Sequence, residues 1–151
     1  MIQRKQSVYL LISVLLTAVC MFLPLGTFIS ENMGADSTLY NIAIKSMDGS
    51  MDYVVCIMFI LLLISTVSSA LNIFLYKNRK VQTKICKTNM LLLVVWYAVF
   101  IYFAFAAGGE GTKFSFGAAG IMPFLALIGQ VLAHNGIRSD EELIRSMDRI
   151  R

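Results

Sequence analysis

Few side chains in this sequence could carry chemistry, and most of those lie in apolar surroundings. Ser65, Ser69 and Asn72 follow the three-and-four spacing that puts residues on one helix face, and Gln130 lies in a second apolar run. These four residues are the candidate lining of a polar path. Such groups more often hydrogen-bond between packed helices, each bond worth about 1 kcal/mol or less, and that packing role is the preferred reading. The single histidine, His134, precedes Asn135 and Gly136. It reads as the end of a helix capped by Gly136, meeting the open carbonyls there, rather than as a pH-sensitive gate. No His, Cys, Asp and Glu cluster has metal-ligand spacing, and no Ser-His-Asp set, phosphate loop or carboxylate pair can be assembled. The expectation is a protein that is not an enzyme and needs no cofactor.

The elements that must position these residues emerge from the placement of charge. The 151 residues are 58% hydrophobic and 15% charged, against about 25% charged in soluble domains. Asp, Glu, Lys and Arg are absent from 6–30, 53–76, 88–109 and 114–137. Each run exceeds the roughly 20 helical residues that cross a bilayer core of about 30 Å. Only helices or closed barrels satisfy their own backbone in lipid, and these runs are too long for barrel strands. The reading is an all-α membrane protein: an antiparallel bundle of four transmembrane helices at 8–28, 53–76, 90–107 and 116–133, forming one domain over 1–151. The first run follows Arg4 and Lys5 but exceeds a signal peptide's apolar region and lacks a small-x-small site, so it is expected to be a retained span.

Lys and Arg set the orientation. The N-terminus (Arg4, Lys5), the central loop (Lys77, Arg79, Lys80, Lys84, Lys87) and the tail (Arg138, Arg145, Arg149, Arg151) hold eleven, against two, Lys45 and Lys113, in the other loops. Both termini are therefore expected in the cytoplasm, and the net charge of +4 is a topology signal rather than a nucleic-acid footprint. Lys77, Lys80, Lys84 and Lys87, with the tail arginines Arg138, Arg145, Arg149 and Arg151, are the candidate contacts for anionic lipid headgroups or a protein partner. Cys20 and Cys56 fall in spans and Cys86 near the cytoplasmic side, so no disulfide framework is expected.

In the first outer loop Tyr40, Ile42 and Ile44 alternate with Asn41, Ala43 and Lys45 before Asp48-Gly49, a turn signal. In the second, Thr112, Phe114 and Phe116 alternate with Lys113 and Ser115. A lone strand is unstable in water, which predicts that these two segments pair into a small extracytoplasmic sheet. A lid on the helices is preferred over a recognition surface. Ala119, Ala126 and Ala133, with Met122 and Gly129 between, form a small-residue heptad seam on the fourth helix. Ser139-Asp140-Glu141-Glu142 reads as a capping box opening a separate amphipathic helix over 139–151, whose acidic turn could pair with the central loop, Glu141 with Lys84.

The tail from Gly136-Ile137-Arg138-Ser139-Asp140-Glu141-Glu142-Leu143-Ile144-Arg145 through Ser146-Met147-Asp148-Arg149-Ile150-Arg151 resembles the C-terminus of a family of small four-helix membrane proteins from the Bacteroidetes, domain-of-unknown-function family 4293. The opening Met1-Ile2-Gln3-Arg4-Lys5-Gln6-Ser7 is similar to that family's start. At His134-Asn135 the family more often shows Asn-Arg, so His134 is a departure from it. The resemblance implies a bacterial inner-membrane location and carries no activity. The functional expectation is an accessory or assembly subunit acting through protein or lipid contacts, as a partner of another membrane protein or of its own copies. The alternative is a small oligomeric transporter or channel using Ser65, Ser69, Asn72 and Gln130.

Overall fold

Pro24 decides where the first helix ends. Proline has no N–H to donate and disfavours helical geometry in the residue before it. The computed structural model, which describes residues 3–30, 36–46, 48–75, 78–107 and 112–148, accordingly ends α1 (Gln3–Phe22) two residues earlier. The chain then extends as β1 (Gly26–Ser30), so the expected first span of 8–28 is too long at its far end. Among the described residues three helices are long and apolar enough to cross a membrane, Tyr53–Phe74, Arg79–Ala106 and Ala118–Leu143, and α1 contributes the shorter apolar stretch Gln6–Phe22.

Three short strands follow: β2 (Ser37–Leu39), β3 (Ile44–Ser46) and β4 (Met51–Asp52). Gly49, at φ +78°, closes the β3–β4 turn that Asp48-Gly49 predicts. A single 3₁₀ turn, Tyr53–Val55, is started by the Asp52 carboxylate accepting from Val54 N–H and leads into α2 (Cys56–Phe74). After α3 (Arg79–Ala106) comes β5 (Thr112–Phe116), a second 3₁₀ turn at Ala118–Ile121, and α4 (Met122–Asp148). The four helices pack in a ring, α1 against α2 and α4, and α3 against the same two.

The predicted sheet is present, but its pairing differs. The strand order is β4-β3-β2-β1-β5, antiparallel throughout. β5 pairs not with the first loop but with β1, Phe28 opposite Phe114 and Thr27 opposite Ser115. Residues 40–43 form the turn between β2 and β3, and their burial reverses the expected alternation. Asn41 and Ala43 are buried while Ile42 is 44% exposed. The reason is chemical: Asn41 Nδ2 donates to the carbonyl of Cys20 at 2.7 Å, satisfying one of the open carbonyls at the end of α1. Its Oδ1 accepts from Trp96 Nε1 at 3.1 Å. One fully buried amide thus joins the sheet to α1 and α3. Phe28, Phe100 and Phe114 fill the space between the layers, with Phe100 stacked on Trp96 at 5.3 Å.

At the other end the expected break before the tail does not occur. α4 runs unbroken through His134, Gly136 and Ser139, so Gly136 is not a cap and the Ser139 box opens no new helix. Contact with α1 carries the helix through. Gly136 lies against Gln6, Ile137 is fully buried, and the Asp140 carboxylate accepts from Gln6 Nε2 at 2.8 Å. The fourth span also starts later than expected, because Phe116 belongs to β5.

The Asn41→Leu variant should lose about 1–3 kcal/mol, because it leaves a buried carbonyl and a buried indole N–H unpaired. Since Trp96 is the only tryptophan, thermal unfolding of the purified protein and a shift in its emission maximum read the two effects together.

Candidate functional site

All four residues of the expected polar path are interior. Ser65, Ser69 and Asn72 lie on the buried face of α2, and Gln130 is buried on α4. Ser69 is the hub: its Oγ accepts from Gln130 Nε2 at 2.7 Å and from Asn89 Nδ2 of α3 at 3.0 Å, so one hydroxyl joins three helices. Asn72 is not drawn to Gln130. Its Nδ2 donates to Cys86 Sγ at 3.1 Å and to the Gln82 carbonyl at 3.4 Å, while Gln82 Nε2 donates back to the Asn72 carbonyl at 3.2 Å. Ser65 makes no side-chain hydrogen bond to protein.

α1 contributes groups that the sequence reading passed over. Ser13 Oγ donates to the carbonyls of Tyr9 and of Ala126, each at 3.0 Å, the second of these across to α4. That approach requires the small-residue seam. A Cβ at Gly129 would press into Ser13 Oγ and meet the Tyr9 carbonyl at 3.2 Å. Thr66 Oγ1 lies 2.9 Å from Thr17 Oγ1 and donates to its own helix at Leu62, 2.7 Å away. Ala119, Ala126 and Ala133 are all buried, as the seam predicts.

Buried polar groups occur along the whole helical body. Gln6, Ser69, Asn72, Gln82, Asn89, Gln130 and Asp140 lie towards the end away from the sheet, while Thr17 and Asn41 are buried towards the sheet. The larger apolar cluster, with Met58, Leu62, Leu93, Trp96 and Phe100, lies beneath the sheet. The outward faces carry exposed apolar side chains along every helix, among them Leu11, Ile64, Val94 and Ile128.

Among the described residues, charge collects at the ends. Lys80, Lys84 and Lys87 are exposed on the first turns of α3. Arg138 pairs with Glu142 at 3.1 Å on an exposed face of α4, an i,i+4 pair of small energetic weight. The expected Glu141–Lys84 pair is not formed. Arg145 lies on α4, and Lys77, Arg149 and Arg151 lie outside the described residues. His134, placed mid-helix rather than at a helix end, has Asn135 Oδ1 at 3.5 Å from its Nδ1, and its Nε2 is buried without a partner among the described residues. No group of three metal-ligating side chains converges among the described residues, and all three cysteines are free thiols.

Residues 2–150 match the model of a family described as Domain of unknown function (DUF4293). The chain belongs to that family. Because the match spans essentially the whole chain, the helices, the sheet and the polar interior all lie within the family's domain. No curated protein matches the chain.

Ser69→Ala should cost about 1–3 kcal/mol, since it strands two buried amides at once. Ser65→Ala removes no protein hydrogen bond and should be distinctly milder. Unfolding of the two variants side by side in detergent checks the ranking.

Proposed function

We propose that this family member is an integral protein of the bacterial inner membrane, with both termini cytoplasmic, that works through contacts as an accessory or assembly subunit and not by catalysis. The observation that carries the reading is the use of the interior polar groups. Ser69, Asn89, Gln130, Asn72 and Gln82 bond to one another across helices, so they join the helices together. Exposed apolar side chains around the helices suit lipid, and the charges at the ends suit the headgroup layers.

On this reading the sheet faces the extracytoplasmic side, and the basic end, with Lys77, Lys80, Lys84, Lys87, Arg138, Arg145, Arg149 and Arg151, meets anionic headgroups or a membrane-protein partner. The exposed Leu143 on the last turns of α4 is the natural point of protein contact. A nucleic-acid partner is not proposed. One observation favours the second reading, a small oligomeric transporter or channel: Ser65, Asn72 and Gln130 each keep a buried oxygen without a protein partner.

A photo-crosslinking residue in place of Leu143, introduced into the full chain in native membranes, should give a discrete protein adduct. The same residue at Ile64, on the apolar face, should give lipid adducts. If neither position captures protein while the purified chain in vesicles moves a solute, the transport reading replaces the contact reading.

A further inference from the structure

The hydrogen-bonding capacity around Ser69 does not close. Asn89 and Gln130 each commit one head of the amide to Ser69 Oγ, which leaves Asn89 Oδ1 and Gln130 Oε1 without a protein partner. One turn along α2 on either side, Ser65 Oγ and Asn72 Oδ1 are also unpaired. These side chains are 1% exposed or less. Turning either amide over exchanges an unpaired oxygen for an unpaired N–H and leaves the shortfall as it was. Buried polar atoms in folded proteins find partners, from protein or from ordered solvent.

The chemistry of the site selects the partner. Its groups are two amide ends beside Ser69, a third on Asn72 and one hydroxyl, all of them neutral. A buried ion would be held there without a counter-charge, which is costly in a low-dielectric interior. A small neutral molecule that both donates and accepts fits, and internal water binds to buried polar groups that lack protein partners. Towards the sheet the next buried side chains of α2 and α3 are Leu62, Met58, Leu93 and Trp96, and the buried polar groups there, Thr17 and Asn41, are paired with protein.

We propose that Ser65, Asn72, Asn89 and Gln130 bind internal water, so that the interior around Ser69 is hydrated while the interior around Asn41 and Trp96, where the polar groups pair with protein, is dry. This goes beyond the contact reading and does not depend on it.

Two native thiols report on the two regions. Cys86, bonded to Asn72 whose Oδ1 is unpaired, and Cys20, beside Asn41 whose amide is paired at both ends, are each 0% exposed. Hydroxyl radicals generated by X-ray radiolysis of bound water oxidise adjacent side chains, and peptide mapping reads each cysteine separately. In the purified full chain, Cys86 should be oxidised at doses that leave Cys20 a free thiol. The Asn89→Leu/Gln130→Leu variant should lose Cys86 oxidation, and replacing sodium by choline in the buffer should change nothing. Equal protection or equal oxidation of the two thiols in the unmodified chain would overturn the proposal. So would Cys86 oxidation that persists in the folded double variant, or oxidation that depends on the cation, which would put an ion in place of water.

Discussion

The structure depends on a pairing constraint inside its helices. A polar group withdrawn from water must find a partner or cost the fold its full desolvation penalty, and an apolar exterior offers none. Ser69 meets the constraint for three helices with one hydroxyl, taking an N–H from α3 and another from α4. Ser13 links α1 to α4 by donating to the Ala126 carbonyl, and Gln82 and Asn72 join α2 to α3. Hydrogen bonds are directional, so these contacts fix how the helices are rotated against one another. On the proposed membrane reading, apolar side chains against lipid would discriminate poorly between rotations.

The sheet answers the same constraint at the other end. A helix that stops leaves carbonyls open, and Asn41 reaches in to take the Cys20 carbonyl while accepting the Trp96 N–H. The sheet is therefore a bonded cover and not a loose lid. Beneath it lies the larger apolar cluster, from Val55 to Phe100, and the polar groups that bond helix to helix around Ser69 lie further from the sheet.

Much of this was legible in the sequence, and the gaps have physical causes. The helices were visible from charge exclusion, and the small-residue seam of α4 faces inward as its spacing predicts. Charge exclusion does not separate helix from buried strand, and so the boundary at Pro24 was set too late. The capping box failed because packing against Gln6 outweighs a local stop signal at Gly136. Asn89, Gln82 and Ser13 escaped notice although a signal for them exists. The buried residues of α3, Gln82, Cys86, Asn89, Leu93, Trp96 and Phe100, alternate spacings of four and three, and Gln6, Leu10, Ser13, Thr17 and Cys20 do so on α1. Extending the heptad from α4 to every helix would have put these groups in the interior. Which of them touch could not be read, because register between helices is set in three dimensions. Asn41 was hidden differently: its turn reads as a strand, and only the bond to α1 explains its burial.

The central claim is that polar groups hold this interior together by pairing with each other. A double-mutant cycle on Ser69 and Gln130, read by reversible unfolding of the purified chain, measures that pairing apart from the effects of volume and transfer. The account predicts that Ser69→Ala and Gln130→Leu are each destabilising, and that the double variant is better than their sum by about 1 kcal/mol. Strict additivity would contradict it, since two residues that do not pair have nothing to lose jointly.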